Sequence, residues 1–216
     1  MKKVAVILSG CGVFDGAEVN EAVLTLLHIE KGGASYQCFA PDIEQMHVIN
    51  HLTGEPQQQQ RNVLVEAARI ARGKIKPLTE LKVDDFDALL VPGGFGAAKN
   101  LCDFAVKGAE ASVQKDMLHA AQAFAKAGKA AGYMCIAPAM LPLLYGRGVK
   151  LTIGNDADTA QAINKLGGEH IDCAVDNIVI DDQHKLVTTP AYMLAENLLQ
   201  ADAGIGKLVA KVLALA

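Results

Sequence analysis

Short runs of consecutive apolar residues alternate along this chain with longer stretches in which apolar residues recur at three-and-four spacing. That alternation predicts an α/β fold with a mainly parallel sheet and helices on both faces. The runs are Val4 to Leu8, Ser35 to Ala40, Ala88 to Val91 and Ala130 to Met134. Between the first two, Val19, Val23, Leu26 and Leu27 mark the inner side of a helix that stops at Gly32-Gly33 and leaves His28 and Glu30 off the apolar stripe. A second helix is predicted over Val113 to Ala127, with Val113, Met117 and Phe124 facing inward, His119 pointing away and Gly128 closing it. His28 and His119 are both expected in solvent. Ile178 to Asp181 and Lys185 to Thr189, flanking Asp182-Gln183-His184, read as a hairpin near the sheet edge. Leu194, Leu198, Ile205, Leu208, Val209 and Val212 then set out a closing helix, with Gly204 and Gly206 as a candidate break. No repeat, linker or compositional shift divides the chain, so residues 1–216 read as a single three-layer sandwich domain. Asp42 to Gln60, with its four consecutive Gln, is an insertion expected to cover a site.

Composition narrows the classes of function. At 216 residues, 51% hydrophobic and 20% charged, the chain has enough apolar mass for a full core, which excludes disordered and collagenous classes. The net charge of -4, without any dense Lys/Arg block, argues against nucleic acid or an anionic membrane and for a small partner. The longest apolar run, Ile136 to Tyr145, holds two prolines and falls well short of the ~20 residues of a membrane span. Met1-Lys2-Lys3 before Val4 to Leu8 and Ser9-Gly10-Cys11 has the outline of a lipoprotein signal. Its apolar stretch is shorter than the roughly 7–15 residues such signals use, so a buried first strand is the better reading. The cysteines, at 11, 38, 102, 135 and 173, are odd in number and lack Cys-x-x-Cys spacing, which suits neither a disulfide scaffold nor a zinc ribbon and suggests a reducing cytoplasm. His47 and His51 stand four apart, but Val48 occupies the position where a zinc hydrolase needs its Glu base. Neither a metal nor a cofactor is expected.

In an open parallel sheet ligands bind at the carboxyl ends of the strands, which directs attention to three segments. The first, Ser9-Gly10-Cys11-Gly12-Val13-Phe14-Asp15-Gly16, has glycines spaced almost as in a dinucleotide loop. Asp15, Glu18 and Glu21 would repel a pyrophosphate there. The second is Pro92-Gly93-Gly94-Phe95-Gly96. The third is Gly132-Tyr133-Met134-Cys135-Ile136-Ala137-Pro138, where a strand ends at Met134 and a short apolar helix begins at once, with Pro138 in its first turn. That is the layout of a nucleophile elbow. A helix N-terminus at Cys135 would favour thiolate, and its backbone N–H groups, with those of Gly93 and Gly94, would hold an oxyanion. The competing reading is an inert buried cysteine, the commonest fate of a free one.

The acidic helix start after the first strand, Val91-Pro92-Gly93-Gly94-Phe95-Gly96 and Gly132 to Pro138 together resemble the ThiJ/PfpI superfamily, whose flavodoxin-like fold is shared with class I glutamine amidotransferases. Ser9 to Gly16, Val48 to Glu55, Gly93 to Leu101, Met134 to Leu141 and Thr188 to Leu194 resemble more closely its glyoxalase-like branch, linked by name to isoprenoid biosynthesis. The resemblance spans nearly the whole chain. It implies Cys135 as nucleophile, Glu21 as the carboxyl group hydrogen-bonded to it, Gly94 and Ile136 as oxyanion donors, and a homodimer. The expected activity is that of a weak, cofactor-independent glyoxalase III-like lyase, or a deglycase-like enzyme. It would convert the small reactive aldehydes glyoxal or methylglyoxal to 2-hydroxy acids through a Cys135 hemithioacetal. The departures set the expectation of low activity. Protease-like and amidotransferase members need a histidine base, but the residue after Cys135 is Ile136 and Thr188 to Met193 contains no histidine; Gly154 stands where glyoxalase III relatives carry another. His51, in the Asn50-His51 loop, is nominated as its replacement. Two alternatives stay open: a redox sensor in which Cys11 either resolves an oxidised Cys135 or lines the same pocket, and a binding or chaperone-like dimer without turnover. No Asp-rich motif or basic pocket for a prenyl diphosphate accompanies the isoprenoid link.

Overall fold

The computed structural model describes all 216 residues. Its nine strands are β1 (Lys3–Ile7), β2 (Ser35–Ala40), β3 (Ile75–Pro77), β4 (Ala88–Val91), β5 (Ala130–Met134), β6 (Lys150–Leu151), β7 (Glu169–His170), β8 (Val179–Asp181) and β9 (Leu186–Thr189). The helices are α1 (Val19–Lys31), α2 (Val63–Ile70), α3 (Phe104–Lys107), α4 (Lys115–Lys126), α5 (Leu141–Tyr145), α6 (Ala157–Leu166) and α7 (Leu198–Leu215). Seven strands form one sheet in the order β3-β2-β1-β4-β5-β9-β8, parallel except that β8 runs antiparallel to β9; β6 and β7 pair separately. The chain leaves β1 for β2 on one side and returns to β4 on the other. A crevice therefore opens at the carboxyl ends of β1 and β4, where loops diverge to opposite faces.

Burial follows the two-residue period of the strands. Ala5, Ile7, Leu89, Val91, Ala131 and Tyr133 pack toward Met117 and Phe124 of α4. Their neighbours Val4, Val6, Leu90, Ala130 and Met134 pack toward Ala22 and Ile29 of α1 and Leu208 and Val212 of α7. The sandwich, the four runs and the edge hairpin match the expectation. Six shorter elements carried too little pattern to be predicted: strands β3, β6 and β7, and helices α2, α3 and α6. The caps of α2 and α6 were nonetheless in the sequence, since Asn62 Oδ1 accepts from Val65 N and Asp156 Oδ1 from Thr159 N. Helix α4 begins at Lys115 behind a Gln114 cap, leaving Val113 in a β-bridge to Cys102. Its His119 is exposed as expected.

Helix α1 is rotated from the face its apolar stripe suggested. Val19, Val23 and Leu27 are exposed, and the inward positions are Glu21, Ala22, Thr25, Leu26 and Ile29. Apolar residues stand on most sides of this helix, so periodicity did not single out one face, and packing against β5 and α7 decided it. His28 is accordingly not solvated: its Nε2 lies 2.7 Å from Asp202 Oδ1 and its ring rests against Gly206 of α7.

The closing helix starts at Leu198, after the turn that holds Leu194, and runs unbroken through both glycines. Gly204 is there for close approach. A Cβ on it would sit 2.5 Å from the Val175 carbonyl oxygen and 2.8 Å from Thr189 Oγ1. Gly204→Ala is therefore expected to lose about 1–3 kcal/mol of stability despite alanine's better helix propensity. Urea unfolding reads this out, and a stabilised variant would contradict the packing.

Candidate active site

Cys135 follows β5 in a left-handed conformation, φ 59°, unusual for a residue with a side chain. Its N–H is tied to the Thr189 carbonyl at the end of β9 (3.0 Å), and a single 3₁₀ turn, Ala137–Met140, carries the chain into α5. Strained backbone of this kind costs about 1–3 kcal/mol and persists only where the surroundings enforce it. The elbow expected at Cys135 is thus present, and it brings Sγ to the Glu21 carboxyl group.

Glu21 reaches this point because Glu18 caps α1, its Oε2 accepting from Glu21 N (2.6 Å), so that Glu21 lies in the first turn on the face turned to β5. One turn later on that face, Thr25 Oγ1 meets Met134 Sδ (3.6 Å). The Glu21 carboxyl is fully buried and accepts Gly93 N–H at Oε2 (2.8 Å) and Tyr192 N–H at Oε1 (3.1 Å), with the Cys135 thiol as its third partner. Burial pushes Glu21 up to about 7, and the neighbouring Glu18 acts in the same direction, against the three donors. Burial also drives the Cys135 thiol well above its ordinary range, helped by the Glu21 charge; the N–H groups of Gly94 and Ile136 offset part of this.

Two expectations are corrected here. Cys135 is not poised as a thiolate, because the turn after it is too short to supply a strong dipole and because the sulfur is buried beside an acid. Gly93 is not an oxyanion donor, since its N–H is already given to Glu21. The N–H groups of Gly94 and Ile136 are turned to the sulfur. A cavity of about 230 Å³ opens beside the thiol, lined by Val13, Gly94, Phe95, Ile136, Tyr192 and Met193 around Cys135, with Thr159 at its rim. Of these walls, Val13, Phe95, Thr159, Tyr192 and Met193 were not identified from the sequence.

The other candidates lie elsewhere. His51 stacks on Phe14 (centroids 5.0 Å apart), accepts Phe14 N–H at Nε2 (3.2 Å) and donates from Nδ1 to the Ile49 carbonyl (3.1 Å). Both ring nitrogens are engaged, outside the Cys135 cavity, so His51 does not replace the missing histidine. Asn50 shapes the tip of its own loop, where Oδ1 accepts from Leu52 N (3.0 Å). Cys11 is half-buried among the charges of Glu66, Arg69 and Asp15, whereas the groups acting on Cys135 are Glu21, Gly94 and Ile136. All five cysteines are free thiols, and Cys11 does not line the pocket. The Asp42 to Gln60 segment covers the β1 loop, through Ile49 N donating to Asp15 Oδ2 (2.7 Å), and not the thiol cavity. At Gly154 the backbone is left-handed (φ 111°) and Leu194 fills the space a side chain would enter.

The human protein named "Glutamine amidotransferase-like class 1 domain-containing protein 3, mitochondrial" is 47% identical to this chain over 223 aligned positions, spanning 99% of this chain and 83% of the relative. The chain belongs to the glutamine amidotransferase-like class 1, or ES1, family. No protein-family model matches the sequence. Among solved structures, this ES1-family chain superposes with a TM-score of 0.93 on an isoprenoid biosynthesis protein with an amidotransferase-like domain from Ehrlichia chaffeensis. The two are 35% identical, with 100% and 99% of the chains covered. A DJ-1 superfamily protein from Salmonella typhimurium shares the fold alone, at a TM-score of 0.62, 20% identity and coverage of 99% and 91%. The fold is thus that of the DJ-1/ThiJ/PfpI and class I glutamine amidotransferase-like proteins. The expectation of a cytoplasmic setting is overturned by the human, rat and zebrafish relatives, all named mitochondrial. No helix of the chain is long and apolar enough to cross a membrane.

Proposed function

We propose that this protein is a slow, cofactor-independent glyoxalase-like or deglycase-like enzyme acting on 2-oxoaldehydes. The observation that carries the reading is the Cys135 thiol, held by a strained elbow at the wall of a small apolar cavity and hydrogen-bonded to a buried carboxyl whose pKa is about 7. A carboxyl tuned to that range is a general base near neutrality, which is what an unionised thiol needs.

Sγ attacks the aldehyde carbon while its proton passes to Glu21, and the developing oxyanion meets the N–H groups of Gly94 and Ile136. Protonation of that oxygen gives the hemithioacetal and frees the Glu21 carboxylate. Glu21 then removes the carbon-bound hydrogen, and reprotonation at the adjacent carbon yields the thioester of the 2-hydroxy acid. Water hydrolyses the thioester, so glyoxal plus water gives glycolate, with the thiol regenerated and no external oxidant or reductant required. Without an imidazole in the pocket the carboxyl alone carries every proton, which accounts for slow turnover.

The test is ¹³C-glyoxal with purified protein, followed by NMR for glycolate. Many equivalents of glycolate per protein, at a rate proportional to protein concentration, are expected. Consumption of a single equivalent of aldehyde without acid would reduce Cys135 to a scavenging thiol and overturn the reading.

A further inference from the structure

Phe95, one wall of the thiol cavity, borders a second hollow. The ring is 47% exposed, and the hollow, of about 220 Å³, is lined by Phe14, Ile49, Gly54 and Lys99 as well. The strand of loop that carries Val13 into the first cavity carries Phe14 into the second, and Phe95 N–H donates to the Val13 carbonyl between them (2.8 Å). The two hollows are neighbours across one aromatic side chain.

Lys99 is the cation of this hollow. It is presented by a π-helical turn, Ala97–Leu101, a deviation from α geometry often found at functional sites. Its Nζ donates to the Phe14 carbonyl (2.9 Å) and stands 5.2 Å from the centre of the Phe95 ring. No carboxylate pairs with it. Asp15, the acid whose charge reaches it, is buried and occupied, accepting Ile49 N–H at Oδ2 (2.7 Å) and facing His51 Nε2 from Oδ1 (3.9 Å). An ammonium group has three donors, and the protein satisfies one. A larger hollow on the other side of Lys99, about 390 Å³, is lined by Glu44 and Asp103 and so repels anions.

Resting on the glyoxalase-like reading, we infer that the preferred substrate is a 2-oxoaldehyde larger than methylglyoxal, with an apolar or aromatic arm that crosses Phe95 and ends in an anionic group at Lys99. Apolar walls closed by one fixed charge are how small-molecule sites set orientation. A half-buried ammonium to carboxylate contact is strong enough to select among such arms.

Phenylglyoxal and 4-carboxyphenylglyoxal differ only in that anion. Wild type is expected to prefer the carboxylated compound by about tenfold in kcat/KM, through KM, and Lys99→Met is expected to reduce the preference to about one. Equal use of both compounds by wild type, or a preference that survives in Lys99→Met, would overturn the inference while leaving the enzyme reading standing. Binding of 4-acetylbenzoate, which has no aldehyde, to Cys135→Ala by calorimetry separates the two failures. If no aldehyde is turned over, the enzyme reading fails. In that case 4-acetylbenzoate binding that weakens about tenfold with Lys99→Met still supports the anion subsite, and absence of binding overturns it.

Discussion

Cys135→Ala is expected to form no acid from glyoxal above the protein-free background, and Glu21→Gln to lower kcat by about 10²–10⁴-fold with little change in KM. The thiol starts protonated, so attack and proton removal are coupled, and the amide of Gln accepts no proton at any relevant pH. Acid formation in wild type should rise with pH through about 7, as the Glu21 carboxyl ionises. Undiminished turnover in Glu21→Gln would mean that the thiol is activated by another group, and a pH profile flat between 5 and 8 would remove the carboxyl from the chemistry.

The same carboxyl predicts a stability change of the opposite sense. Its pKa rises on folding from 4.5 to about 7, so folding favours the protonated form. That contribution is fully present below about pH 4.5 and is lost as pH rises through about 7, a difference of about 3 kcal/mol for this fully buried group. Glu21→Gln cannot ionise and should lack this loss. Denaturant midpoints at pH 5 and pH 8 should therefore converge in the variant relative to wild type; an identical decline in both proteins would place the titration elsewhere.

What the sequence disclosed and what it hid divide along physical lines. The strands were legible because both faces of each are buried, which leaves unbroken apolar runs such as Ala88 to Val91. The Cys135 elbow was legible because a strand, a cysteine and a first-turn proline follow one another without a gap. Glu21 was not visible to periodicity, because its inward direction is set by Ala22 and Ile29 against the sheet and by Thr25 against Met134, the last a contact between residues 109 positions apart. His51, Asn50 and Cys11 failed as pocket residues for a related reason. Each is committed to local partners, Ile49 and Phe14, Leu52, and the α2 charges, that no spacing rule reveals. The cavity walls come from four separate loops and helix α6, and only the assembled fold places Phe95 between Lys99 and the thiol.

Gly93→Ala is expected to damage stability and chemistry together, because the added methyl group meets the nucleophile and the carboxyl at once. A Cβ there would stand 2.3 Å from Cys135 Cβ, 2.8 Å from Glu21 Oε2 and 2.9 Å from Cys135 Sγ, and the first of these is an atom fixed by the elbow, with no rotamer to retreat into. Either the 92–96 loop withdraws or the elbow opens. Withdrawal breaks Gly93 N–H to Glu21 and also Glu18 N–H to the Gly93 carbonyl (3.0 Å), which anchors the start of α1. Opening the elbow separates Sγ from the carboxyl that activates it. Overpacking costs about 1–3 kcal/mol, and a buried carboxyl deprived of a donor adds to that, so a loss of about 3 kcal/mol or more in urea unfolding is expected. Turnover should fall at least as far as in Glu21→Gln, because the variant disturbs base and nucleophile together. A Gly93→Ala protein with wild-type unfolding midpoint and wild-type turnover would mean that the thiol, the carboxyl and the loop are not packed as described.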